Sequence, residues 1–177
     1  PVSLDKIAFA TKPSQPGEVL RGGLGFDVIL NLSENTVSGR TSMEVVGAVE
    51  KSPGGKFVPK WVGISVSEIE LHANLAAVKI DGKINIYNED PMYGDGFAGT
   101  IKAVFNSLQT QIDASARFGA TEYQSPGNPY RYWGVDARII LPKPGVVFLP
   151  GVAIYGFGGG AWKRMNVTNL PKPNLTA

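Results

Sequence analysis

The chain has no cysteine and a single histidine, His72. The first absence removes disulfides, thiolate metal sites and cysteine nucleophiles together. The second removes multi-histidine metal sites. A serine–histidine–carboxylate triad would have to be built on His72, and no G-x-S-x-G elbow is there to hold its serine; His72 reads as a surface residue at a strand end. Charge is also scarce, at 18% of residues against about 25% in typical domains. The net charge of +2 is carried by scattered side chains. There is no basic run and no basic–aromatic interleaving, so nucleic acid is not an expected partner. No apolar run reaches the roughly 18 residues of a spanning helix, and no stretch reads as a signal peptide. The start at Pro1 reads equally as removal of an initiator Met or as a mature product or piece of something longer. A chain without cysteine suits the cytosol, and equally large secreted bacterial proteins that fold without disulfides.

Glycine (22), proline (13) and hydrophobic residues (43%) are plentiful, a balance that favours β structure with many turns around a sizeable apolar set. Strict alternation is the strongest signal. Leu24, Phe26, Val28, Leu30 and Leu32 alternate up to a turn at Ser33-Glu34-Asn35-Thr36. Val37, Thr41, Met43, Val45 and Val49 then oppose Ser38, Arg40, Ser42, Glu44 and Glu50. Val62, Ile64 and Val66 give way to Ile69 and Leu71 on the other parity, which predicts a bulge near Ser67-Glu68. Ala76, Val78, Ile80, Ile84 and Ile86 form the cleanest face. Further strands are expected at Phe97–Phe105, Ile112–Ala120 and Trp133–Leu141, with the last strand within Val152–Phe157. The best helix candidate, Asn106–Ala116, alternates with period two, which argues against it.

The expected fold is all-β: an antiparallel meander of about nine long strands in one domain over residues 1–165. Residues 166–177, with Pro171 and Pro173, read as a tail or linker. A sheet with one apolar face must fold over, stack as a sandwich or close into a barrel. The expected core is Phe26, Val28, Leu30, Val78, Ile80, Ile84, Ile101, Phe105, Ala116, Phe118, Val135, Ala137 and Ile139.

Gly156-Phe157-Gly158-Gly159-Gly160-Ala161 matches the dinucleotide fingerprint G-x-G-x-x-A, whose mechanism needs a helix and then an acidic strand end about 20 residues on. Only 17 residues follow Gly160, two of them proline and none acidic. The glycines therefore read as architecture: a bare strand face against which a bulky aromatic or another segment can lie. In the most polar loop, Glu89, Asp90 and Asp95 could offer oxygen ligands to calcium, although Asp-Pro and Asp-Gly turn chemistry explains them as well. The carboxylate pairs Glu68/Glu70 and Asp81/Asp113 are conceivable for glycoside hydrolysis, but nothing in the sequence sets them opposite each other. Tyr123, Tyr130, Tyr132 and Trp133, around a Pro-Gly-Asn-Pro loop, could form a glycan- or partner-binding surface or pack the sheet end; packing is preferred. Sequons at Asn31, Asn166 and Asn174 carry no weight.

The runs "IDGKINIYNEDPMYGDGFAGTIKAVF", "ARFGATEY", "YRYWGVDARIILP" and "GVAIYGFGGGAW" resemble a segment of very large β-rich bacterial proteins of the envelope or secreted space. There an alternating strand leads to a D-P-x-Y-G-x-G-F loop, and Y-W-x-V-D-A and Y-G-F-G-G-G-A strands follow. The resemblance covers roughly the last two thirds of the chain. It implies no activity, substrate or cofactor. It does imply an extracellular or envelope location within a longer assembly.

The leading expectation is a non-catalytic structural β module. It would join other chains, or further segments of its own, through poorly defended edges marked by Ile7 and Phe9 at one end and Tyr155 and Phe157 at the other. The alternative is a carrier of a lipid or other apolar small molecule, in a barrel or on an amphipathic sheet. An outer-membrane barrel comes third, and a membrane is otherwise not an expected partner.

Overall fold

The computed structural model describes residues 2–33 and 36–165. The expected tail, Asn166 and Asn174, and Glu34-Asn35 of the first turn lie outside them. The strands are β1 (Val2–Lys12), β2 (Glu18–Ser33), β3 (Val37–Lys51), β4 (Phe57–Asn74), β5 (Val78–Asp90), β6 (Gly94–Phe105), β7 (Thr110–Thr121), β8 (Tyr130–Ile140), β9 (Val146–Leu149), β10 (Val152–Ile154) and β11 (Gly156–Lys163). No helix occurs among the described residues. Nine strands form one antiparallel meander in the order β1-β2-β3-β4-β5-β6-β7-β8-β11, while β9 and β10 form a separate hairpin. Turns follow the local chemistry: Gly17 and Gly55 adopt φ of 92° and 76°, open to glycine without steric cost.

Register carries the alternation across the whole sheet. One rung runs Val2–Leu30–Gly39–Leu71–Gly82–Ile101–Ala114–Ala137–Gly159 and holds no polar side chain. The next rung, on the other face, runs Ser3–Ile29–Arg40–Glu70–Lys83–Thr100–Ser115–Asp136–Gly160. Every residue of the expected core falls on the apolar face. The parity slip is a bulge at Ser67, where Ser42 pairs Glu68 and Met43 pairs Val66. A second bulge at Val62 brings Trp61 and Ile64 onto the same face. A third, at Lys6, does so for Leu4 and Ile7.

The expected second layer is not there. The sheet is not closed, and its strands touch almost nothing but their sheet neighbours. Barrel, sandwich and folded-over arrangements are therefore replaced, among the described residues, by a single open layer. For the same reason the expected core is not buried: Ile84 is 40% exposed and Ile80 half-buried, although both stand on the apolar face. The faces were read correctly; what is missing is a cover. Edge-ward residues are barer still, with Phe9 at 84%. The apolar face is held by cross-strand pairs such as Phe97–Phe118, whose ring centroids are 5.3 Å apart. The last strand also differs from expectation. Val152–Ile154 belongs to the hairpin, and the glycine run itself, Gly156–Lys163, is the sheet's edge strand.

An open face lowers the cost of truncating it. We expect Trp61→Ala, at a site 64% exposed, to cost the isolated chain about 1 kcal/mol or less, not the ~3–5 kcal/mol of a buried aromatic. Urea unfolding of both proteins measures this.

Candidate functional site

The polar face is a lattice of cross-strand ion pairs. Asp27 on β2 takes hydrogen bonds from Arg40 and, at 2.7 Å, from the Ser42 hydroxyl, both on β3. These bonds, Arg40 first, hold its carboxyl below the usual carboxylate range. Lys83 on β5 bridges Glu68 (2.7 Å) and Glu70 (3.2 Å) on β4, and its hydrogen bond is the chief cause of the lowered Glu70 pKa. Lys60 pairs Glu50 at 2.5 Å, Arg138 pairs Asp113 at 2.8 Å and Lys12 pairs Glu44 at 2.7 Å. His72 lies 2.8 Å from Asp81 near the end of β4, exposed as expected.

Between β4 and β11 this face forms a wide, open depression lined by Glu70, His72, Asp81, Lys102, Asp113 and Arg138 among others. The carboxylates considered for glycoside hydrolysis are engaged there as ion-pair partners. Glu68 and Glu70 share Lys83. Asp81 and Asp113 flank Lys102 on one rung and bind His72 and Arg138.

The calcium candidates do not converge. Asp90 Oδ1 accepts from the backbone N–H groups of Met92 (2.9 Å) and Tyr93 (2.8 Å), which lower its pKa, Tyr93 first. Asp95 Oδ1 accepts from the Glu89 N–H at 2.7 Å, fixing Glu89 at φ 54°. Turn capping engages one oxygen of each aspartate, and no group of three metal-ligating side chains occurs among the described residues.

The aromatic set divides between the faces, as the parity of neighbours requires. Trp133 opposes Phe118 on the apolar face. Tyr132 points the other way and is 4% exposed; burial raises its hydroxyl pKa. Its hydroxyl donates to the Tyr93 carbonyl at 2.8 Å, tying the β5–β6 loop over the sheet. Tyr130 donates to the Tyr123 carbonyl at 3.2 Å, and Tyr123 stays exposed. Tyr132 therefore packs the sheet end, and the four do not share one surface.

Sequence reading missed what surrounds Tyr132. Tyr93 stacks on Tyr87 with centroids 5.4 Å apart, and the Arg117 guanidinium lies 4.2 Å from the Tyr93 ring centre. Tyr87 and Arg117 share the polar-face parity of Lys83 and Asp113, a signal that could have grouped them. Glycines make the room: a Cβ on Gly119 would meet the Tyr132 hydroxyl at 2.4 Å, and one on Gly134 would meet the Trp162 ring at 2.5 Å. Trp162 thus lies over Gly134 and Gly160, whereas at Gly156 and Gly158, where a bare face was expected, the nearest atoms belong to the β8 backbone and Arg138.

One edge strand is β1, as expected, and the other is β11, shifted past the expected Val152–Phe157. Ile7 and Phe9 stand exposed on β1 and Phe157 on β11; Tyr155 sits between β10 and β11, its carbonyl accepting from the Leu141 N–H at 2.7 Å. The β1 edge is better defended than expected, because Lys6 occupies a bulge at φ 51°.

Two outcomes test this face. Tyr132→Phe should cost about 0.5–1.5 kcal/mol, the net worth of one hydrogen bond, and Gly119→Ala more, in urea unfolding. Asp27 has a depressed folded-state pKa. Its contribution is therefore present above the ordinary value of 3.8 and is lost as pH falls through the lower folded value. Asp27→Asn should lower stability at neutral pH and flatten the acid limb of the stability–pH curve.

Compared with protein-family models, curated proteins and solved structures, the chain matches none.

Proposed function

We propose that this chain is a non-catalytic structural β module of a larger assembly, working through its strand edges and its apolar face. The observation that carries this reading is the single open layer. An apolar rung crosses nine strands without a polar side chain, and among the described residues both edges are unpaired. A monomer rarely leaves so much contiguous apolar surface uncovered, and an unpaired edge is a template for another strand. The partners are other copies, or further segments of the same polypeptide, added at β1 and β11. The envelope or extracellular setting rests on the sequence resemblance to large β-rich bacterial proteins. The cross-strand ion pairs of the polar face agree with a role in architecture rather than chemistry.

The open apolar face favours one other reading, an amphipathic sheet that carries a lipid or other apolar small molecule. Native mass spectrometry of gently purified protein separates the two. A co-purifying apolar molecule in place of higher oligomers would make the carrier the better account. Hydrogen exchange tests the edges directly. We expect slow exchange of the amides of Ile7–Ala10 and Phe157–Ala161 in assembled material. Fast exchange at both edges would remove the assembly reading.

A further inference from the structure

The two rims of the sheet differ in chemistry. At one rim the connections and strand ends carry Lys12, Glu18, Lys51, Lys56, Asp90, Glu122, Lys163 and Arg164, interspersed with the exposed Val19, Leu20, Phe57 and Met92. At the other, the connections are 34–36, 75–77, 106–109 and 141–155, and their charged residues are Lys143 and, outside the described residues, Glu34. There each turn brings an exposed aliphatic to the rim: Leu32 beside the β2–β3 turn, Leu75 in β4–β5 and Leu108 in β6–β7. The fourth connection is the β9–β10 hairpin, Val146-Val147-Phe148-Leu149-Pro150-Gly151-Val152-Ala153-Ile154. Its Val146, Val147, Phe148 and Leu149 are consecutive, so both of its faces are apolar, and all four are exposed.

We propose that this rim inserts into one leaflet of a lipid bilayer, the hairpin deepest and Leu32, Leu75 and Leu108 as shallower anchors. The inference stands apart from what pairs with the edges. Three observations select a bilayer over a protein partner. First, a two-stranded hairpin is at best marginally stable in water, and one apolar on both faces wants an apolar medium on every side, which a single protein surface does not offer. Its own ladder, Val146 to Ile154 and Val147 to Ala153, satisfies backbone groups that lipid would leave unpaired. Second, the four anchors recur at every second strand, ~10 Å apart, along one rim of one sheet, so several anchors lie on the same side. Third, Lys79 and Lys143, both exposed, stand behind the aliphatics, where phosphate headgroups would lie. The four residues of β9 extend ~13 Å, short of a hydrocarbon core of ~30 Å, so the hairpin enters one leaflet and does not span. No described helix is long and apolar enough to cross a membrane.

The absence of cysteine makes the test clean. Phe148→Cys and Ser125→Cys, each labelled with an environment-sensitive nitrobenzoxadiazole dye, report the two rims. Vesicles of phosphatidylcholine, with and without phosphatidylglycerol, are added to the full chain. A blue shift and brightening at 148 with none at 125 is the expected result. Equal responses at both positions, or none at 148, would overturn the proposal. Vesicle flotation gives the second measurement: Phe148→Asp with Leu149→Asp should lower partitioning roughly tenfold or more while the β-sheet circular dichroism is kept. A folded double variant that floats like the parent would place lipid contact on the apolar face and overturn the rim assignment.

Discussion

Backbone pairing in register is the constraint on which everything else in this molecule rests. With no second layer among the described residues to press the strands together, position along the chain is fixed by the ladder and by the side chains that face each other across it. A single-residue slip anywhere would turn apolar side chains into the ion-pair lattice. Bulges such as those at Lys6, Val62 and Ser67 let the chain absorb an extra residue mid-strand and still keep its faces apart, and further register shifts fall near the strand ends at 18–20, 31–33 and 87–90.

The two faces keep register by different means. On the polar face, charge decides: Arg40 finds Asp27, and Lys83 sits between Glu68 and Glu70, so a shifted strand would oppose like charges. On the apolar face, contact area decides, and the glycines and alanines of the central rung leave Leu71 and Ile101 to fill the space between strands. Where the polar face does pack, near Tyr132, it does so by stacking rings in gaps left by glycine. Tyr132 there, and Val46 and Ala48 of β3 on the same face, are the buried apolar side chains of the described molecule.

Much of the fold was legible because alternation and parity are local properties. The Ser67 bulge could be read from Val66 and Ile69. The Val62 bulge could not, because Trp61, Val62 and Ile64 are all apolar and hide the slip. The absence of a second layer was not legible either: an apolar face in sequence says that something must cover it, not what. The loop carboxylates are ambiguous in sequence for a related reason. Asp90 and Asp95 each cap a turn through Oδ1, and only the positions of the Glu89, Met92 and Tyr93 amides reveal that role. Tyr132 and Trp133 were grouped by proximity in sequence, although adjacent strand residues face opposite ways.

Lys6 gives the first strand a grain. Its bulge divides β1 into Val2–Asp5 and Ile7–Lys12, offset from one another by one residue. A strand that docks along the full length of this edge must absorb the same offset, with an irregularity of its own at the matching place. A flat, regular strand from an unrelated chain can align with one half or the other. The edge therefore rewards a partner whose spacing was shaped alongside it and gives shorter purchase to chance encounters, so that selectivity for neighbours resides in the spacing of the backbone as much as in any side chain.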